Sequence, residues 1–465
     1  MNQNVIDTYF STLEPDFVEA ISRLVRIPST RSASKPGMPF GEGPTRALEE
    51  ALLLAADLGF SDCHNEDGYV GTVDLNDKDT CLHILTHLDV VDAGSQWTVT
   101  DPFQPKRVGD LLYGRGTDDD KGPLVAALFA MKAVRDLAVP LRHNVRLIMG
   151  TDEECGFEDI HHYYETHPYA PHTFSPDASF PLINTEKGHY QPSFSKDFLF
   201  RNQILSPNVI SIHAGTRVNV VPATATAVVS GLSFAAIARA AEDLDILITL
   251  ERKDDSVQIN CSGQNAHAST PECGNNALTA LLALLAKLPL ADCDRSQSIR
   301  AIHALFPHGD HHGHAAGIAQ SDEISGHLTL ALTMLYLNDQ GLSGRFDCRT
   351  PLCATTETCV TPLLTAFNRH GFSVNGILDP AHHTPSDSPF VQTLLRVYEQ
   401  YTGLPGTCES MGGGTYVHGI PGGVAFGASM PGFDSHLHAP DERVNIKDLM
   451  TAAKIFTQVI LDLCA

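Results

Sequence analysis

The spacing of hydrophobic and polar positions changes twice along the chain. In the first third, apolar residues recur at helical spacing over 7–26, 45–58 and 123–137, which predicts amphipathic helices. Between them, short apolar runs at 81–88, 145–149 and 182–185 predict buried strands. Strands that are separated by helices are typical of βαβ units, so this third predicts a largely parallel sheet.

The middle third follows a different pattern. Strands are predicted at 208–214, 225–230, 256–261, 328–336 and 344–348, and helices at 234–244, 276–285 and 355–370. This order does not alternate, which indicates an α+β module. A helix at 387–401, a strand at 423–426 and a helix at 446–461 then resume the first pattern. The sequence therefore predicts one α/β domain, formed by 1–187 and 384–465, into which a second domain, 188–383, is inserted.

Composition narrows the classes of partner. Acidic residues outnumber basic residues by 55 to 31, and the formal net charge is −24, which disfavours nucleic acids and anionic membranes as ligands. The 11 cysteines include no CxxC pair, so free thiols in a reducing compartment are expected. The first 30 residues lack the apolar core of a signal peptide, and no apolar run is long enough to span a bilayer. A cytoplasmic protein is predicted.

Acidic residues and a histidine gather where predicted strands end. His87 and Asp89 close one strand and, being two residues apart, point to the same side. Glu153 and Glu154 follow another strand, and three consecutive aspartates, 118–120, precede a helix. Each feature has an ordinary alternative: a solvated histidine, a solvated acidic loop, or acids attracted to a helix N-terminus.

Two further residues change the balance between these alternatives. Asp177 precedes the strand at 182–185, and His438 lies near the end of the chain; alone, they would be a turn residue and a surface histidine. Together with one histidine, one aspartate and one glutamate from the features above, they supply three carboxylates and two imidazoles near the sheet edge of one domain. That set suits two zinc ions that share a carboxylate.

Seven motifs resemble those of the PepV-like dipeptidases, over nearly the whole chain: HLDVVDAG with a following W, GRGTDDDKGP, GTDEECG, PDASFP with a following EKG, NAHAST, GGGTY and HAPDE. This group belongs to a dinuclear-zinc family that also includes acetylornithine deacetylase, succinyl-diaminopimelate desuccinylase, aminoacylase and carboxypeptidase G. The DDKGP and PDASFP–EKG forms favour the dipeptidase branch.

The resemblance implies a fold and a reaction. The fold would be a zinc-exopeptidase-type catalytic domain, a mixed sheet flanked by helices over 1–187 and 384–465, with an inserted α+β lid domain over 188–383. The reaction would be metal-dependent hydrolysis of dipeptides or short peptides, with a metal-bridging water as the nucleophile. Two Zn²⁺ per subunit are implied, although carboxylate-rich sites also accept Mn²⁺ or Co²⁺.

The resemblance also implies roles for individual residues of the catalytic domain. Asp119 would bridge both ions, and its peptide bond to Asp120 would be cis. The remaining roles are these: His87 and Asp177 as ligands of one ion, Glu154 and His438 as ligands of the other, Asp89 as the residue that orients His87, and Glu153 as the general base.

Three positions of the lid and two glycines after it resemble substrate-binding positions of the family. His267 would donate a hydrogen bond to the oxyanion of the transition state. Asn219 and Arg349 would anchor the substrate, the latter because guanidinium pairs with carboxylate through two hydrogen bonds. Gly413 and Gly414 would let backbone N–H groups approach the substrate.

Several alternatives stay open at the level of sequence. An N-acyl amino acid deacylase of the same family and a non-catalytic metal- or peptide-binding protein are the competing functions, and the chain could be a monomer or a homodimer. His436 competes with His438 as a ligand if the register shifts by two residues. His418 stands where the family commonly has arginine, and the histidine-rich tract at 308–314 resembles a metal-binding tract.

Overall fold

The computed structural model describes residues 3–198 and 205–465, which form two compact units. The first unit comprises Met1–Thr185, His383–Ser410 and Gly414–Ala465, and the second comprises Glu186–His382 and Met411–Gly413. The main breaks lie within two residues of the boundaries predicted at 187/188 and 383/384. The short segment Met411–Gly413 belongs to the second unit, and no sequence pattern predicted it.

The described residues form 11 α-helices and 28 strands. The helices are α1 (Gln3–Phe10), α2 (Glu14–Val25), α3 (Glu42–Asp57), α4 (Lys121–Asp136), α5 (Glu158–Thr166), α6 (Phe234–Ala241), α7 (Ala277–Lys287), α8 (Asp294–Leu305), α9 (Thr361–Arg369), α10 (Pro389–Thr402) and α11 (Ile446–Cys464). The strands are β1 (Cys63–Glu66), β2 (Val70–Asp74), β3 (Thr80–His87), β4 (Lys106–Val108), β5 (Leu111–Tyr113), β6 (Asn144–Gly150), β7 (His172–Ser175), β8 (Ala178–Ser179), β9 (Ile183–Glu186), β10 (Gly188–Tyr190), β11 (Ser193–Asp197), β12 (Asn208–Ala214), β13 (Val220–Val221), β14 (Thr224–Ser230), β15 (Leu247–Lys253), β16 (Ser256–Ser262), β17 (Ala266–His267), β18 (Ser321–Asp322), β19 (Gly326–His327), β20 (Thr329–Leu337), β21 (Gly341–Thr350), β22 (Ser373–Asn375), β23 (Leu378–Asp379), β24 (His382–His383), β25 (Glu409–Met411), β26 (Val424–Ala425), β27 (Ala428–Ser429) and β28 (Arg443–Asn445).

The main sheet of the first unit is mixed, with a parallel centre. Its strands lie in the order β1-β2-β6-β3-β7-β26-β9-β24. Strand β3 is parallel to both β6 and β7, and β26 is parallel to β7, whereas β1, β2 and β9 pair antiparallel. The sheet is therefore parallel only at its centre. As expected for central strands that are covered on both faces, β3 and β6 are almost wholly buried.

Helices α4 and α11 form the largest part of the core beside this sheet. They pack against each other and against β3 and β6, and nearly every side chain of α4 is buried. The helix predicted at 7–26 is interrupted: α1 ends at Phe10, and α2 begins at Glu14. The break coincides with Pro15, which suits a first turn and not a helix interior.

The second unit is an α+β module. Its ten-stranded sheet has the order β15-β16-β14-β12-β20-β21-β10-β23, with β11 joined to β21 and β22, and the neighbouring strands pair antiparallel. Helix α7 packs against β14, β16 and β20, and α8 packs against β12 and β21. The predicted combination of an α/β domain with a mixed sheet and an inserted α+β domain is confirmed.

The sequence pattern missed several elements. Helices α5 and α8 and strand β15 were not predicted; they are short or polar, and α5 and α8 carry charged and histidine residues that weaken the apolar period. All eleven cysteines are free thiols. Among the described residues, no helix combines the length and the apolar character that a membrane crossing requires.

Candidate metal centre

The carboxyl ends of three neighbouring parallel strands bring the candidate ligands together. Strand β3 ends at His87, between β6 and β7. Strand β6 is followed by Glu153 and Glu154, and β7 is followed by Asp177. Ligands of open α/β sheets bind outside the carboxyl ends of the strands, so the topology explains why residues that are distant in the sequence share one site.

Two groups of possible ligand atoms share Asp119. In the first group, His87 Nε2 lies 2.9 Å from Asp119 Oδ1 and 3.6 Å from Asp177 Oδ2. In the second, His438 Nε2 lies 2.8 Å from Asp119 Oδ2 and 3.3 Å from Glu154 Oε1. Within each group the ligand atoms lie within 4.8 Å of one another. The two oxygens of Asp119 therefore point into different groups, as a bridging carboxylate would.

Two buried atoms test whether these residues fit metal ions. His87 Nε2 and Glu154 Oε1 are both buried, and neither makes a hydrogen bond to any described residue, despite the short distances above. A buried polar atom without a hydrogen bond is costly. Both atoms are ordinary ligands of zinc, so an ion in each group would satisfy them, and the donor set fits a pair of divalent cations.

The electrostatics of the cluster favour the binding of cations. Burial and the negative charge of Asp119 raise the pKa of Glu154 to about 7 and that of Asp177 to about 6. Burial and the nearby Asp177 raise the pKa of Glu153 well above its usual value. Two imidazoles cannot neutralise four carboxylates at this spacing, whereas two divalent cations would.

Asp89 has two functions in the structure. Its main-chain carbonyl oxygen lies 3.0 Å from His87 Nδ1, and its carboxylate is more distant, at 3.5 Å. The Asp89 carboxylate instead accepts hydrogen bonds from the N–H groups of Glu153 and Glu154, both at 3.1 Å. The contact of Asp89 with His87 is thus closer through the backbone than through the side chain, and the carboxylate holds the turn that carries the two glutamates.

Three buried residues in or against the loop that carries Asp119 had no role assigned from the sequence: Arg115, Asp120 and Glu442. The peptide bond Asp119–Asp120 is cis, as expected, and Asp120 accepts a hydrogen bond from the N–H of His87 at 3.0 Å. Glu442 contacts the same loop and pairs with Arg115. The only sequence signals were the third aspartate of the run and the position of Glu442 four residues after His438.

The structure places Asn219 and His267 close to two paired strands of the second unit. Strands β13 and β17 pair with Val220 opposite His267, and the carbonyl of Asn219 accepts a hydrogen bond from Ala268 at 2.8 Å. The N–H of Ser269 donates to His267 Nδ1. Because a backbone N–H can only donate, Nδ1 is the acceptor, and a neutral His267 carries its proton on Nε2.

Arg349 lies at the end of β21 in the second unit and is buried. Its guanidinium pairs with both oxygens of Asp347, at 2.7 and 2.9 Å, and donates to the carbonyl of Gly412 at 2.7 Å. Arg349 therefore helps to hold the glycine-rich loop. Gly413 belongs to this unit and Gly414 to the first, so the chain passes between the units at this point.

The structure also shows what His438, its competitor His436 and the histidine-rich tract contact. His438 contacts the acidic groups, whereas His436 contacts the carbonyl of Pro440 and the carboxylate of Asp434. Over residues 3–198 and 205–465, the two groups that share Asp119 are the only sets of three such ligand atoms. The tract at 308–314 therefore forms no comparable set.

The chain belongs to the peptidase family M20/M25/M40, whose family model matches residues 83–462. The chain is thus a hydrolase that acts on peptide bonds, in a family of metallopeptidases. The family predicted from the motifs is confirmed.

Two sequence relatives and one solved structure show which proteins the chain is similar to. The chain is 33% identical over 458 residues to "Putative dipeptidase YtjP" of Bacillus subtilis (strain 168), covering 96% of this chain and 97% of that protein. It is 33% identical over 436 residues to the Beta-Ala-Xaa dipeptidase of Lactobacillus delbrueckii subsp. lactis, covering 91% and 90%. The crystal structure of human carnosine dipeptidase 1 has the same fold, with a TM-score of 0.62, 15% identity and coverage of 99% and 98%.

Proposed function

We propose that this protein is a zinc-dependent dipeptidase that hydrolyses dipeptides or short peptides with a free N-terminus. The observation that carries the proposal is a pair of ligand groups with Asp119 in common, beside a glutamate that belongs to neither group. A structural metal site needs only its ligands, whereas a hydrolytic site also needs a base.

The residues that would hold the metal ions are those of the two groups: His87, Asp119 and Asp177 for one, and Asp119, Glu154 and His438 for the other. When bound, a pair of divalent cations polarises a carbonyl oxygen and lowers the pKa of the attacking water. We assign zinc because imidazole and carboxylate ligands suit it; Mn²⁺ and Co²⁺ accept the same donors.

Glu153 is the proposed general base. Its backbone is fixed by Asp89, and its carboxylate belongs to neither ligand group. It would accept the proton of the attacking water and deliver that proton to the leaving amine. Burial and Asp177 already favour its protonated form by raising its pKa, and bound cations would shift the balance back towards the carboxylate that accepts a proton.

Residues of the second unit are proposed to serve the substrate, together with one glycine of the first. His267, whose Nε2 carries the proton in the neutral ring, would donate to the oxyanion of the transition state. Asn219, Arg349, Gly413 and Gly414 would contact the peptide. The dipeptide preference rests on the two relatives that are themselves named dipeptidases. The cytoplasmic location and the choice between monomer and homodimer stay predictions.

A dipeptide panel tests the proposal. The protein is stripped with EDTA, restored with Zn²⁺, and assayed for amine release from dipeptides with free and with acetylated N-termini. Metal-dependent cleavage of the free dipeptides is expected. Cleavage of the acetylated compounds alone would instead indicate an N-acyl amino acid deacylase, and no cleavage of either set, with metal bound, would indicate a non-catalytic binding protein.

A further inference from the structure

We propose that Glu442 is a positioning residue: together with Arg115, it fixes the bridging ligand Asp119 at the distance from His438 that a metal ion needs. The inference rests on the proposed function, since it concerns the metal site of that reaction. Glu442 itself is in neither ligand group, and it would act only through the residues that it holds.

One carboxylate oxygen of Glu442 accepts hydrogen bonds from the loop that carries Asp119. Oε1 accepts hydrogen bonds from the N–H groups of Gly116 and Asp118, both at 3.0 Å, and of Asp119 at 3.3 Å. The main-chain carbonyl of Glu442 also accepts from the N–H of Gly114, at 2.9 Å. Glu442 thus accepts hydrogen bonds from most of the N–H groups of residues 114–119, the short loop that ends at Asp119.

The other carboxylate oxygen of Glu442 pairs with the buried guanidinium group of Arg115. Oε2 accepts a hydrogen bond from Arg115 Nη1 at 2.5 Å, and Arg115 Nη2 donates to the carbonyl of Ala439 at 3.3 Å. The side chain of Glu442 is completely buried, and that of Arg115 is 2% exposed. A carboxylate that is buried in this way needs hydrogen bonds and a paired charge, and removal of either partner leaves the other charge uncompensated.

These contacts connect two ligands of the same ion. Each carboxylate oxygen of Asp119 is directed at a histidine, so the position of Asp119 must come from its backbone, which Glu442 holds. Glu442 is also four residues from His438 in the chain, and Arg115 contacts the intervening Ala439. The pair therefore ties the Asp119 loop to the His438 segment.

The backbone beside His438 requires such a tie. His438 and Asp441 have left-handed φ angles of 58° and 59°, a conformation that costs energy in residues other than glycine. On one side the segment is held by the Asp441 carboxylate, which accepts from the N–H groups of Thr98 and Val99. On the other side it is held by Glu442. Loss of the second anchor would let His438 move away from Asp119 and Glu154.

Zinc affinity, not hydrolysis, is the measurement that tests this role. Metal-free wild type and Glu442→Gln are titrated with Zn²⁺ against a chromophoric chelator, after circular dichroism has shown that both are folded. Whichever way the glutamine amide turns, its NH₂ group faces a donor, either Arg115 or the loop N–H groups. We expect at least one of the two binding steps to weaken by about 10- to 100-fold, the usual effect of altering a residue that supports a metal ligand.

Asp74→Asn is the matched control. Asp74 is buried in the same unit and pairs with Arg146, at 2.8 Å, and it belongs to neither ligand group. This variant therefore loses a comparable buried charge and should bind both ions like wild type. A folded Glu442→Gln that binds both ions with wild-type affinity overturns the proposal, as does an equal weakening in Asp74→Asn.

A second variant decides the matter if Glu442→Gln does not fold. Arg115→Lys keeps the charge, but one ammonium cannot reproduce both guanidinium contacts, and about tenfold weaker zinc binding is expected; unchanged affinity would refute the role. The outcome is independent of the dipeptide assay. A wild type that cleaves no dipeptide refutes the proposed function alone, and unchanged zinc affinity refutes the positioning role alone.

Discussion

Replacement of Glu153 by glutamine separates the chemistry of the site from its ability to bind metal. The introduced glutamine has nearly the same volume as glutamate, and the backbone hydrogen bond to Asp89 is retained because it involves only the main-chain N–H. Neither ligand group contains Glu153. The substitution therefore removes a proton acceptor and leaves all the proposed ligands in place.

The size of the expected effect follows from the role of a general base. A positioned base contributes about 10²- to 10⁴-fold to the rate, which corresponds to about 2.7–5.5 kcal/mol of activation free energy. The loss should fall on kcat, with KM little changed, because the base acts in the transition state and not in substrate binding. Metal content should stay at the wild-type value.

The assay combines two measurements on one sample. Zinc is quantified by elemental analysis after excess metal has been removed, and dipeptide hydrolysis is followed by amine release. Glu158→Gln is the control, since Glu158 is also acidic and close in sequence, but its side chain is 65% exposed and outside the ligand groups. Turnover of Glu153→Gln close to that of the control, at equal zinc content, would show that Glu153 is not the base.

Three further changes test other parts of the structure. Asp119→Asn removes a charge from both ligand groups, and elemental analysis should find fewer zinc ions per chain than in wild type. Gly150→Ala would place a methyl group against the buried Tyr416 hydroxyl, and urea denaturation should show a loss of about 1–3 kcal/mol. Burial lowers the pKa of His83 from 6.5 to about 3. Between these two pH values the imidazole is protonated in the unfolded chain but not in the folded one, so the free energy of unfolding falls as the pH drops. His83→Asn should remove about 1–2 kcal/mol of the stability lost between about pH 6.5 and 5, and a pH dependence equal to that of wild type would contradict the burial argument.

The sequence predicted the positions of those candidate residues that directly follow a predicted strand. His87 ends the strand that the apolar run at 81–88 indicates, and Glu153 and Glu154 follow the strand indicated by the run at 145–149. Parallel neighbouring strands must align their carboxyl ends, which brings these side chains to one edge. The motif resemblance then supplied the pairing of ligands, which periodicity alone could not. The mixed character of the sheet followed from that resemblance too, since the strand pattern by itself favoured a largely parallel one.

Sequence could not predict contacts between residues that are far apart in the chain. Glu442 holds a loop more than 300 residues away, and its one sequence signal, the position four residues after His438, does not indicate that contact. The carboxylate of Asp89 likewise accepts hydrogen bonds from the N–H groups of Glu153 and Glu154, and not from His87. Both cases depend on tertiary geometry, which decides where the oxygens of a carboxylate point.

The three consecutive aspartates show how such geometry resolves an apparent conflict in the sequence. Adjacent carboxylates repel one another, and a run of them inside a folded domain requires a separate partner for each. In the structure Asp118 accepts a hydrogen bond from Ser429 at 2.5 Å, Asp119 faces His87 and His438, and Asp120 accepts from the N–H of His87. Asp120 stands at the N-cap of α4 but makes no side-chain capping bond; its carboxylate is used on the N–H of His87 instead. The three side chains diverge because each is held by a different part of the fold, and the middle one directs its two oxygens to two different histidines.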